Sequence, residues 1–125
     1  MSQSVAAVVV TFCRREGLGA TVAALRAQTH APNSIVVVDN RGDVTLEDFA
    51  DASGIVLLTP GDNTGAAGGF ALGMQTAVDA GHDWVYLIND DDRPRPRALE
   101  LLLVLASAGA SRSLTPPANL IEVLA

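Results

Sequence analysis

A chain of 125 residues is enough for one domain, and with 49% hydrophobic residues it packs into a globule rather than staying disordered. Fourteen acids against eight bases leave a net charge of −6, which excludes the basic stripe that a nucleic-acid partner requires. All eight bases are Arg, so a phosphate loop built around Lys is excluded as well. Cys13 stands alone, so no disulfide forms within the chain, in keeping with a reducing compartment. The N-terminus lacks the basic region of a signal peptide, and no apolar run approaches the length of a membrane span. A cytoplasmic domain is expected.

Val5 to Phe12 is a continuous apolar, β-branched run, the pattern of a strand covered on both faces. Leu18 to Gln28 shows helical spacing, with Leu18, Val22 and Leu25 on one face, and His30, Pro32 and Asn33 break it. Ile35 to Val38 is a second buried strand, ending in the polar turn Asp39 to Asp43. Thr45 followed by Asp48 has the form of an N-cap box, which predicts a short helix. Ile55 to Leu58 is a third strand. The glycine-rich loop Asn63 to Gly69 then opens a helix from about Phe70 to Ala80, with Gly81 as its stop. Trp84 to Ile88 is the fourth strand, and Leu99 to Leu105 an apolar helix. Residues 1–106 form the domain, and 107–125 a tail in which Ala118 to Leu124 reads as one or two further helical turns.

Buried strands alternating with helices predict an α/β fold with a parallel sheet and right-handed crossovers. Fold precedent supplies a strand order of 3-2-1-4. Ligands of such sheets bind beyond the carboxyl ends of the strands. Those ends carry Thr11, Asp39 and the triplet Asp90, Asp91, Asp92, and the third leads into the glycine loop. Arg14 follows the first strand at the same rim.

The triplet follows a buried strand directly, and Pro94 and Pro96 prevent that strand from continuing. Three adjacent carboxylates repel one another, and a hard divalent cation, Mg2+ or Mn2+, is the usual remedy. That cation bridges carboxylates to a diphosphate, while the glycines and the following helix N-terminus favour an anion. Plainer readings stand beside these: an acidic turn before a helix, ordinary turn chemistry at Asp39, a surface Arg14, and glycines used only for close helix–sheet packing. Gly17-Leu18-Gly19 begins like a dinucleotide fingerprint, but Val22 replaces the third glycine and four residues separate the motif from the strand.

In combination these stretches resemble the inverting family 2 glycosyltransferases of the GT-A fold. Val8 to Phe12 is similar to that family's first strand, and Val37-Val38-Asp39-Asn40 to its second-strand motif. Asn63 to Phe70 is similar to the galactofuranosyl- and rhamnosyltransferase branch, and Asp90-Asp91-Asp92 to the DxD signature. The resemblance implies a UDP- or dTDP-sugar donor held by Thr11, Arg14, Asp39, Asn63, Gly65, Gly68, Gly69, Asp90 and Asp91, with Asp90 and Asp92 holding the metal. It implies transfer to a saccharide or lipid-linked acceptor in cell-wall polysaccharide assembly, at the cytoplasmic face of the membrane. Members of the family continue well beyond this length, and after Asp92 the acids are Glu100 and Glu122 alone, so no catalytic base is assigned. Two readings therefore stay open, an active transferase donor half and an inactive nucleotide-sugar-binding fragment. A truncated sheet leaves apolar surface uncovered, which predicts a homodimer.

Overall fold

The computed structural model describes residues 4–12, 15–107 and 119–122. The chain runs β1 (Val5–Thr11), α1 (Arg15–Arg26), β2 (Ser34–Asp39), a 3-10 turn (Leu46–Asp48), β3 (Ile55–Leu58), α2 (Gly65–Asp79), β4 (Trp84–Asn89), α3 (Ala98–Ser107) and β5 (Asn119–Glu122). All strand pairs are parallel, and the order is β3-β2-β1-β4-β5. The expected 3-2-1-4 order holds, with one strand added beyond β4.

Side chains alternate across the sheet with the period of two that a strand imposes. Val5, Ala7 and Val9 of β1 face a core shared with α1 and α3, built on Leu18, Leu25 and Leu99. Ala6 and Val8 face the other way, toward Ala77, Phe70 and Met74 of α2. Both faces are therefore covered, which is why the strands read as unbroken apolar runs.

Two predicted elements differ. α2 begins at Gly65 rather than near Phe70, so the glycine-rich stretch is its first turn. Glycine costs about 1 kcal/mol per helical position relative to Ala, so the segment reads as loop. Tertiary packing overrides that preference. A Cβ on Gly73 would meet Val8 Cγ1 at 2.2 Å, and one on Gly69 would meet Val10 Cγ1 at 2.8 Å. With Ala77 these two form a small-residue stripe that lets α2 lie directly on the sheet. The second difference is at the C-terminal end. Residues 119–122, expected as helix, form β5 and pair with Trp84 to Leu87. These four residues are the edge strand of the sheet.

The strand ends are level. Thr11 pairs with Asp39, and Val10 with both Val38 and Asn89. On α3, Leu101, Val104 and Leu105 are exposed along one stripe.

Replacing Gly73 by Ala should destabilise the fold by about 1–3 kcal/mol, because Val8 lies in a central strand and has little room to yield. Gly19 is the opposite case: it is exposed within α1 and nothing lies within 4 Å of its missing Cβ. Gly19→Ala should stabilise by about 0.5–1 kcal/mol. Denaturant melts followed by the single Trp84 check both; equal effects of the two substitutions would remove the packing argument.

Candidate functional site

The level strand ends build one rim. Thr11 closes β1, and its buried hydroxyl donates to Asp90 Oδ2 at 2.8 Å. Asp90 is itself only 7% exposed. One short bond thus ties the first strand to the acidic turn that follows β4.

Asp39 closes β2 and is fully buried, at 0% exposure. Its carboxylate accepts the backbone N–H groups of Arg41 (3.1 Å), Gly42 (3.0 Å) and Val44 (2.8 Å). A carboxylate offers about four acceptor sites, so three are taken. Gly42 has φ of +84°, which the tight turn around this carboxylate requires. In this conformation Asp39 shapes the loop after β2 and is not itself open to a ligand.

The neighbouring Asn40 had no separate role in the sequence reading, yet it joins two elements. Its Nδ2 donates to Gly65 O at 3.0 Å, and its Oδ1 accepts Thr64 Oγ1 at 2.9 Å and Thr64 N at 3.3 Å. It pins the start of α2 to the end of β2. Asn63 Oδ1 accepts Gly65 N at 2.9 Å. The amides of Ala66 and Ala67 that follow are among those an α-helix leaves without intrahelical partners. Of the three glycines proposed to meet a ligand, Gly65 alone borders the cleft, with φ of +72° and open space where a Cβ would sit. Gly69 is turned to the sheet, and a Cβ on Gly68 would meet Thr64 at 2.8 Å.

These parts enclose a cleft of about 490 Å³. Thr11, Asn40, Asn63, Gly65, Asp90 and Asp91 all line it. Phe12, exposed at its mouth, carries the Arg41 guanidinium 5.9 Å from its ring centroid. Neither residue was singled out from sequence, where Phe12 reads simply as the end of an apolar run. Arg14 lies outside the described residues.

The acidic triplet is divided between two clefts. Asp90 and Asp91 face the one just described. Asp92 folds back, its Oδ2 accepting Asn89 N at 3.0 Å, and it lines an apolar groove of about 680 Å³ with Tyr86, Ile88 and Leu101. The pairing of Asp90 with Asp92 as metal ligands is therefore not preformed. Among the described residues no three His, Cys, Asp or Glu side chains converge as a metal site. A cation bound through two carboxylates, with phosphate oxygens and water completing its shell, still fits Mg2+ chemistry. Two carboxylates, Asp90 and Asp91, line the wall of the cleft beside the α2 N-terminus. Glu100 is no base for this cleft: its carboxylate accepts Thr29 Oγ1 at 2.6 Å and Arg97 Nη2 at 3.0 Å, and the Arg97 bond holds it below its ordinary range.

A parallel sheet of this order, with acids on its rim and a helix N-terminus beside them, is the architecture of the GT-A class. The crystal structure of S. aureus TarS has the same architecture, with a TM-score of 0.71 over 88% of this chain and 20% of TarS at 19% identity. The chain belongs to glycosyl transferase family 2, whose pattern matches residues 6–113. It is similar to the galactofuranosyltransferase GlfT1 of Mycolicibacterium smegmatis, with 40% identity over 95 residues, covering 74% of this chain and 32% of that protein. GlfT1 of Mycobacterium tuberculosis (strain H37Rv) is 43% identical over 95 residues, covering 73% of this chain and 31% of its own. The chain thus spans about a third of the length of these relatives.

Burial, and after it the negative charge of Asp92, raise the Tyr86 phenol above its ordinary 10.0. The folded phenol holds its proton more tightly than the unfolded one. Its contribution to stability is present below the ordinary value and is lost as pH rises through the raised one. Tyr86 is the single tyrosine, so ultraviolet titration reads it alone. Asp92→Asn should shift its ionisation to lower pH, whereas Asp91→Asn should leave it in place. Equal shifts would place Asp92 elsewhere than beside Tyr86.

Proposed function

We propose that this chain supplies the donor-binding half of a metal-dependent, inverting transferase that moves a sugar from a UDP- or dTDP-sugar to an acceptor hydroxyl. One observation carries the reading: Asp90 and Asp91 share a cleft with the N-terminus of α2 at the carboxyl ends of the strands. Carboxylates and an anion-seeking helix end are opposed in charge, and a diphosphate with a divalent cation satisfies both. The relatives are named as galactofuranosyltransferases, so a UDP-linked galactofuranose is the first donor to test, in cell-wall polysaccharide assembly with a saccharide or lipid-linked acceptor.

Each residue has a part. The amides of Ala66 and Ala67 bind and orient the diphosphate. Thr11 holds the Asp90 carboxylate in place. Phe12 and the loop shaped by Asp39 receive the nucleobase. Direct contact from Asp39 to a base imide requires Arg41 or Gly42 to release its bond. Asp90, with Asp91 or a reoriented Asp92, holds Mg2+ or Mn2+. That cation supplies charge neutralisation for the departing diphosphate. The apolar groove beside Arg93 to Arg97 lies on the far side of the triplet, away from this cleft.

A second reading, a domain that binds nucleotide without turnover, is favoured by one feature. Asp90 and Asp91 are the only carboxylates lining the cleft among the described residues, and transfer needs a base within reach of the acceptor hydroxyl. Release of UDP or dTDP from a sugar donor, or formation of a glycosylated acceptor, eliminates this reading.

Calorimetric titration of UDP and dTDP with and without Mn2+ tests the site. Binding should require the metal and weaken about tenfold or more in Asp90→Asn. Separate Asp91→Asn and Asp92→Asn variants decide which carboxylate is the second ligand. A folded chain that binds neither nucleotide overturns the assignment. The exposed Leu101, Val104 and Leu105 stripe offers the surface for the proposed homodimer. Light scattering across a concentration series should show association that Val104→Glu abolishes; a monomer throughout removes the dimer.

A further inference from the structure

The loop from Asp90 to Arg97 carries the acids; a local turn joins Asn89 and Asp92 at its start, and Arg95 O and Arg97 O accept from the first turn of α3 at its end. Pro94 and Pro96 lack backbone N–H groups. Its carbonyls are also read by one face of α1 and the residues just beyond it. Thr21, at 0% exposure, lies within hydrogen-bond distance of Asp90 O (2.7 Å) and Asp92 O (2.9 Å). Arg93 closes over the same point, donating through Nη1 to Thr21 Oγ1 and to Asp92 O.

Seven residues further on, just beyond the end of α1, is Gln28, at 5% exposure. Its Nε2 donates to Arg95 O at 2.8 Å and lies 3.4 Å from Pro94 O. Its Oε1 accepts Leu99 N at 3.0 Å, satisfying an amide in the first turn of α3. Thr29 N then donates to Pro96 O at 2.8 Å. From Asp90 to Leu99, the loop is therefore tied at several points to α1 and the residues just beyond it.

Thr21 and Gln28 are buried polar side chains that touch no part of the cleft. A buried hydroxyl or amide is costly unless bonded. Among the described residues the Thr21 hydroxyl bonds to the loop alone, and Gln28 bonds to the loop, to Leu99 N at the start of α3 and, at 3.3 Å, to Ala24 O of α1. We infer that Thr21 and Gln28 are positioning residues that hold the acidic loop so that Asp90 and Asp91 face the α2 N-terminus. The link to nucleotide binding rests on the function proposed above; the link to loop geometry does not.

The test uses Thr21→Val, which keeps the shape and removes the hydroxyl, and Gln28→Met, which keeps length and removes the amide. Thr21→Ser restores the hydroxyl. Val22→Ala, on the same helix but bonded to nothing in the loop, controls for general loss of stability. Without ligand, amide hydrogen exchange should quicken at Asp92 in Thr21→Val, and at Thr29 and Leu99 in Gln28→Met, against unchanged β1 and β2. Unchanged loop exchange in both variants overturns the inference.

With ligand, Mn2+-dependent UDP affinity should fall about tenfold or more in both variants, and recover in Thr21→Ser. Val22→Ala should keep its affinity below its melting range. If wild type binds UDP and both variants bind it equally well, the coupling of loop to site is wrong. If wild type binds no nucleotide, the donor-site reading fails, and the exchange result alone decides the positioning claim.

Discussion

A carboxylate withdrawn from water has to be held by donors or it destabilises the fold, and Asp90 is in that position. The Thr11 hydroxyl meets it at 2.8 Å across the ends of two adjacent parallel strands. This contact is possible only because β1 lies between β2 and β4, so that the chain's first and fourth strands are neighbours. The same register sets Thr11 beside Asp39. The rim of the sheet is thus a consequence of strand order. The residues on it are far apart in sequence and carry no mutual preference of their own.

The other wall of the cleft depends on contact rather than charge. α2 reaches the rim because Gly69 and Gly73 allow its backbone to rest on Val10 and Val8. Asn40 then fixes the helix start by bonding to Thr64 and Gly65. Close packing and one buried amide together bring a helix N-terminus opposite the acids. The glycines act mainly by giving that approach, with Gly65 left open to the cleft. The two explanations weighed for the glycine-rich stretch are therefore distributed over its residues.

Much of the site was legible from particular residues. Thr11, Asp39 and Asp90 could be placed on one rim because each follows a buried apolar run directly, and a parallel sheet puts those ends on one side. Less could be read where side chains take up the backbone. Asp39 is spent on three loop amides, which depends on the turn conformation around Gly42. Asp92 turns away from Asp90 to receive Asn89, although the two are only two residues apart. Thr21 in α1 and Gln28 just beyond it left a faint trace as polar residues in line with the apolar face of the helix. Their partners, 69 and 67 residues away, gave no sign.

Local pattern alone determined the first four strands, the existence of the three helices, the parallel class of the sheet and the acidic turn at its edge. Burial on both faces imposes continuous apolar runs, and proline and glycine interrupt them, so these signals survive in one dimension. Tertiary structure alone decided that residues 119–122 extend the sheet as a fifth strand, that α2 starts within the glycines, and that the acidic triplet faces two clefts. Each of those outcomes depends on atoms distant in sequence competing for the same hydrogen bond or the same volume, and such competition is settled only when the chain has closed on itself.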